Sequence, residues 1–262
     1  MTTEHKTEED FTRDALYEGR LMIIQPRKGY RFSIDAYLLT WFACQGRFAA
    51  RSADFGAGCG VVGLGILAAG LTQDVTAVEV QPELAALAIK NAELNDLQSS
   101  YRVISSDVRG VTAELEHGAF DLIVTNPPFW PIAHGRLPSD EERQVACHEM
   151  KGGIDEWLGS AASLLNQRRG RLCIVFPARR LDDLLVGLHR ERLSATRLCF
   201  VHAMAAKQAE LVLVEGRFGN TGRLVVDPPI TLKKEGGADT SKVADIVSGK
   251  FSQKLVDRPD RR

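Results

Sequence analysis

Two hydrophobic periods alternate along most of this chain. Short apolar runs of strand length fall at Ser52–Phe55, Val75–Val80, Tyr101–Ile104, Phe120–Thr125 and Gly170–Phe176. Between them, helix patterns run from Val61 to about Ala69, which is apolar throughout, from Pro82 to Asn95, from Gly153 to Leu165 and from about Ala178 to His189. The second of these is the cleanest helix, with a proline in its first turn and Leu84, Ala85, Ala88 and Ile89 on one face. Strands alternating with helices predict an α/β fold, a parallel sheet with helices on both faces. Two last strands, near Ala195–Val201 and Gln208–Gly216, follow each other without room for a helix. One of them therefore runs antiparallel, as a C-terminal hairpin.

The ends of the chain pattern differently. Residues 1–20 are charged and polar, with the run EHKTEED, and read as a flexible N-terminal arm. Residues 21–50 form an entry segment: apolar LMII, then Gln25-Pro26-Arg27-Lys28-Gly29-Tyr30-Arg31-Phe32-Ser33-Ile34-Asp35, then a helical pattern from Ala36. This predicts a short strand or hairpin feeding an amphipathic helix. Residues 51–218 hold the alternating core, and residues 219–262, punctuated by Gly, Lys and Pro, read as a loop-rich tail. There is no internal repeat and no low-complexity tract.

Composition narrows the class. With 262 residues and 44% hydrophobic content, the chain can bury a sizeable core. Its net charge of −1 means that any nucleic-acid contact must come from local basic patches. The five cysteines form no CxxC pair, and Cys173 and Cys199 lie in apolar strands, so neither a metal site nor a disulfide framework is expected. The polar N-terminus lacks an apolar signal core, and no run of 18 apolar residues exists. A soluble, cytoplasmic protein with reduced thiols is expected.

The chemistry begins at Asp54-Phe55-Gly56-Ala57-Gly58-Cys59-Gly60, between a strand and a helix. Alternate glycines let the backbone turn tightly and approach a ligand. A dinucleotide fingerprint, GxGxxG, fits less well: Val61 stands where its third glycine should be, and the spacing is GxGxG. Glu79 ends the second strand, where a carboxylate can accept the hydroxyls of a ribose. Asp107, beside Val108, follows the third strand and adds another acid, while Val80 extends the Glu79 position. Acids around a glycine turn, with no basic phosphate clamp, suit S-adenosylmethionine. The expected cofactor residues are Asp54, Gly56, Gly58, Gly60, Glu79, Val80, Asp107, Val108 and Asn126; in a methyltransferase Asp54 would face the methionine ammonium and Asp107 the adenine amine.

Asn126-Pro127-Pro128-Phe129 follows the fourth strand directly. In an open parallel sheet, ligands bind at the carboxyl ends of the strands. An amide or aniline-like NH2 delocalises its lone pair. Two acceptors gripping its hydrogens, the Asn126 side chain and the Pro127 carbonyl, would localise that pair and aim it at an activated methyl group. The prolines fix φ and stiffen the loop, and Phe129 offers a flat face for stacking. These four residues are the catalytic candidates. Taken alone, an Asn-Pro-Pro stretch is also an ordinary turn.

With these motifs the sequence resembles the small-domain class I methyltransferases, and within them the tRNA1(Val) adenine-37 N6-methyltransferase group. The resemblance runs from about Leu21 to Pro229 through the entry segment, the glycine turn, Val78 to Leu84, Asn91 through Asn95, the Asn-Pro-Pro-Phe motif and the pair His148-Glu149. It implies a Rossmann-like seven-stranded sheet, S-adenosylmethionine as cofactor, and methylation of an exocyclic adenine nitrogen in structured RNA, most naturally tRNA. It also implies that Arg31, Phe32, Ser33 and Asp35 lie near the cofactor cavity, although Asp35 could equally be a helix N-cap. The tail departs from the group, reading Lys233-Lys234-Glu235-Gly236-Gly237 where an aromatic-bearing end is expected. Relatives sharing the motif methylate guanine in ribosomal RNA or glutamine in release factors, and both remain alternatives. Basic and aromatic residues interleave at Arg27, Lys28, Tyr30, Arg31 and Phe32, which suits RNA. Arg168, Arg169 and Arg171 read as solvated loop charge, and Arg179 with Arg180 forms a third basic group. Residues Pro131 through Arg143 read as a loop over the site.

Overall fold

A computed structural model describes residues 10–29, 31–128, 153–219 and 222–251. The core elements form where the periodicity places them. Strands β3 (Ala49–Phe55), β4 (Thr72–Val78), β5 (Tyr101–Ile104), β6 (Leu122–Thr125) and β7 (Arg171–Pro177) alternate with helices α2 (Val61–Ala68), α3 (Pro82–Leu94) and α4 (Ile154–Leu164). Helix α5 (Leu181–Arg190) then leads to β8 (Leu193–Met204) and β9 (Ala209–Phe218).

The strands lie in the order β8-β9-β7-β6-β3-β4-β5, the expected seven-stranded sheet. Strands β3 to β7 are mutually parallel, and β9 is antiparallel to both β7 and β8. The C-terminal hairpin is therefore real, with β9 as the reversed strand. From β3 the chain moves outward to β4 and β5, then returns to β6 on the other side of β3. That reversal opens a crevice at the carboxyl ends of β3, β4 and β6. One apolar cluster packs α1 (Ile34–Cys44), α2 and α3 on one face of the sheet, and a second packs α4 and α5 on the other. Helix α1 is less amphipathic than expected: Ala36 and the run Leu38 to Cys44 are all buried. It sits between the sheet and further elements instead of facing solvent.

Residues 10–26 and 225–247 hold more regular structure than the pattern suggests. Strand β1 (Phe11–Leu16), inside the expected arm, pairs antiparallel with β2 (Leu21–Pro26) in register Leu16↔Leu21. In the expected loop-rich tail, β10 (Val225–Val226) and β11 (Ile230–Lys233) both pair parallel with β8, making a nine-stranded sheet. Helix α6 (Ser241–Val247) follows, capped by the Thr240 side chain, which accepts from the Val243 N–H. The two ends meet: Arg20 Nη2 donates to the carbonyls of Ser248 and Gly249, at 2.6 and 2.8 Å, and Tyr17 stacks edge-on against Phe251. These contacts join residues far apart in sequence, so no local period announces them. Among the described residues, no helix is long and apolar enough to cross a membrane.

Candidate active site

The glycine turn leaves the end of β3 in a conformation that side chains resist. Gly56, Gly58 and Gly60 have φ of 69°, 55° and 88°. Space is short as well: a Cβ on Gly56 would lie 2.8 Å from the Trp157 ring, and one on Gly60 would lie 2.7 Å from the Tyr101 hydroxyl. Gly60 is also the N-cap residue of α2. The N–H groups of Gly56 and Ala57 both donate to Val78 O at the end of β4.

Glu79, one residue past β4, is buried and holds this turn. Its Oε2 accepts from the Gly58 N–H at 2.7 Å, and its Oε1 from the Gln81 N–H at 2.9 Å. Asp54 is buried below the turn and accepts from the Gly63 N–H of α2 at 2.8 Å. Burial pushes its carboxyl up to about 7; the Gly63 hydrogen bond opposes the rise and the nearby Glu79 adds to it. The described contact of Asp54 is thus with a helix N-terminus, a role not anticipated for it. Gly63 supplies the close helix–sheet approach that the third fingerprint glycine would have given. A Cβ there would meet Tyr101, Asp54 and Val75 within 3.1 Å.

Asp107 stands past β5, its loop joined to Glu79 by the Ser106 N–H, which donates to Glu79 O. Its carboxylate accepts from the Arg109 main-chain N–H and from the Arg109 guanidinium. That guanidinium holds the Asp107 carboxyl below its usual range. Arg109 also reaches Glu156 at 3.7 Å. Next to these acids, Val108 is buried and Val80 is exposed. Asp35 lies in the first turn of α1, half-buried; Ser33, not Asp35, is the N-cap residue. Burial raises the Asp35 carboxyl, and the Ser33 side chain opposes this.

Asn126 follows β6, whose last residue, Thr125, donates its hydroxyl to Phe55 O at 3.0 Å and so ties the end of β6 to the glycine turn. The Asn126 Oδ1 is buried and has no hydrogen-bond partner among the described residues. A buried carbonyl oxygen without a partner is costly unless a ligand supplies a donor. The glycine turn, Glu79, Asp107 and Asn126 therefore share one sheet edge. Phe129, Tyr30, the segment Pro131 through Arg143, and the pair His148-Glu149 lie outside the described residues.

The basic groups are partly reassigned. Arg31 contacts Asp14 at 3.5 Å and donates to Pro26 O and the Thr12 hydroxyl, and Arg27 donates to Phe11 O. Both thus brace the hairpin. Arg171 is not loop charge: it is buried on β7, 3.6 Å from the buried Glu215. Burial pushes the Glu215 carboxyl up, but Arg171 and Arg217 outweigh it and leave it lowered. Periodicity also gave no role to Tyr101, Trp157 or Arg109; only contacts between distant elements reveal them.

Residues 36–137 match the profile of the methyltransferase small domain. That stretch of the chain is similar to the domain, and the enzyme is a methyltransferase. The methyltransferase is 29% identical over 208 residues to a tRNA1(Val) (adenine(37)-N6)-methyltransferase of Porphyromonas gingivalis, across 77% of this chain and 80% of that one. It is 35% identical over 108 residues to a release factor glutamine methyltransferase of Deinococcus radiodurans, across 40% of this chain and 37% of that one. Among solved structures, a predicted O-methyltransferase from Agrobacterium tumefaciens shares its fold, with a TM-score of 0.65 and 23% identity, covering 83% of this chain and 97% of that one. The enzyme is an S-adenosylmethionine-dependent N-methyltransferase. The residues present fit that cofactor. A glycine cradle that added Cβ atoms would block, buried and half-buried acids for hydroxyls and amines, and an orphaned Asn126 oxygen meet at one edge.

Proposed function

We propose that this methyltransferase modifies the exocyclic nitrogen of an adenine in structured RNA, and that its substrate is a tRNA. The carrying observation is the buried, unpartnered Oδ1 of Asn126 at the end of β6. An acceptor held there grips one hydrogen of a planar NH2 group, and the Pro127 carbonyl takes the other. The lone pair is then free to attack, and Pro127 and Pro128 keep both acceptors in place. S-adenosylmethionine supplies a methyl already activated by its sulfonium, so positioning accounts for most of the acceleration. In this reading Glu79 takes the ribose, Asp107 the adenine of the cofactor, and Asp35 lines its cavity. Phe129 stacks on the target base. Residues 51–218 act as the catalytic unit, with the entry segment 21–50 beside the cofactor.

The choice of substrate rests on similarity. The tRNA-modifying relative from Porphyromonas gingivalis aligns over most of both chains, whereas the glutamine-modifying relative aligns over little more than a third of either. That second match favours glutamine as the alternative, since an amide NH2 presents the same two hydrogens. Incubation with labelled donor and, separately, total tRNA, ribosomal RNA and a release factor tests the reading. N6-methyladenine in tRNA is expected. Label on release-factor glutamine alone would overturn it, and N2-methylguanine in RNA would overturn the base.

A further inference from the structure

Strand β10 is the last strand at one edge of the sheet, parallel to β8, with Val225 opposite Arg197 and Val226 opposite Leu198. The Asp227 N–H donates to Leu198 O at 2.7 Å. Alternation along a strand then turns the main-chain groups of Val225 and Asp227 toward β8, and those of Leu224 and Val226 outward. The side chains of Leu224, Val225 and Val226 are 47%, 52% and 56% exposed. An edge that combines outward main-chain donors and acceptors with consecutive apolar side chains is a template for another strand. The opposite edge, β5, guards itself with the exposed Arg102.

We propose that the outer edge of β10 pairs antiparallel with the same edge of a second copy of this chain. The segment Arg223-Leu224-Val225-Val226-Asp227 is self-complementary. Centred on Val225, the pairing sets Leu224 of each copy against Val226 of the other, and these are the residues whose main-chain groups face outward. It sets Arg223 of each copy against Asp227 of the other. That is a non-hydrogen-bonded pair, in which side chains approach closest. Arg223 is exposed and has no ion-pair partner among the described residues, and Asp227 meets only Arg197, at 3.3 Å. Parallel, in-register pairing of two copies would instead set like charges against each other. With β8, β9 and β7 between β10 and β6, pairing leaves the glycine turn and Asn126 clear. So short a strand makes an interface below obligate size, and the dimer is reversible.

Sedimentation velocity of the full chain over a wide concentration range tests this. The mass is expected to rise from 28.8 kDa toward twice that value. Val226→Pro removes only an outward N–H, and Arg223→Glu sets an acid against Asp227. Each should weaken self-association by about tenfold or more, equivalent to roughly 1.4 kcal/mol, with circular dichroism and donor binding unchanged. Arg223→Glu should lose part of its effect in high salt. A monomer throughout the range would overturn the proposal, as would a dimer undiminished in both variants. A mass that rises only when RNA is added would assign the edge to RNA and overturn self-pairing.

Discussion

Asn91, fully buried on α3, exchanges hydrogen bonds with both main-chain groups of Ile24 on β2: its Nδ2 donates to Ile24 O at 2.9 Å, and its Oδ1 accepts from the Ile24 N–H at 2.8 Å. One helical side chain thus does what a neighbouring strand would do. The same Nδ2 also donates to Cys59 O in the glycine turn, at 2.9 Å. Asn95, one turn on, repeats the exchange with Met22. The N-terminal hairpin and the glycine turn are therefore pinned to one helix.

Replacing Asn91 should be costly, because Ile24 and Cys59 would keep buried polar groups with no partner. Asn91→Leu is expected to lose at least about 3 kcal/mol, at roughly 1–3 kcal/mol for each orphaned group. Asn95→Leu, only part-buried, should lose less. Equilibrium urea unfolding of the two variants measures the difference, and equal losses would contradict the account.

Asp54 predicts a pH dependence of stability. Its folded-state value is raised from 3.8 to about 7, chiefly by burial. The folded protein therefore holds a proton that the unfolded chain releases. The contribution is fully present below about pH 4 and is lost as the pH rises through about 7. Asp54→Asn keeps an acceptor for the Gly63 N–H and cannot ionise. Melting temperatures from pH 4 to 8 should show a flatter profile for Asp54→Asn than for the parent, on the order of several degrees at the alkaline end. Parallel profiles would remove Asp54 as the cause.

Glu79 should matter to donor affinity in two ways. In the proposed role its carboxylate accepts from the ribose, and it already anchors the Gly58 N–H. Glu79→Ala is expected to weaken S-adenosylmethionine binding by at least about 1.5–3 kcal/mol, the worth of one hydrogen bond to a charged acceptor. Glu79→Gln, which keeps one acceptor oxygen, should lose less. Isothermal titration calorimetry gives both values, and unchanged affinity in the alanine variant would contradict the assignment.

Asn126→Ala should separate binding from transfer. The proposed contact is with the target amine and not with the donor, so turnover should fall by about a hundredfold or more while donor affinity holds. A radiolabelled-methyl assay beside calorimetry reads the split. Near-normal turnover would take Asn126 out of the chemistry.

The sequence by itself determined the alternating strands and helices, the parallel core and its reversed hairpin, and the edge at which Gly56, Glu79, Asp107 and Asn126 gather. Those features are written in local periods and in short motifs between them, and both survive in a linear string. Only the tertiary structure decided the rest. Phe11–Leu16 is a strand because Leu21–Pro26 offers its edge, and Val225–Val226 and Ile230–Lys233 are strands because β8 offers one to β10 and β11. Arg171 reads as surface charge until β9 brings Glu215 beside it. Asp54 gains a partner that no motif names when α2 sets the Gly63 N–H against it. In the tail and at Arg171 the partner is distant in sequence, and its hydrogen bond or charge offsets a desolvation cost that no neighbour along the chain could offset.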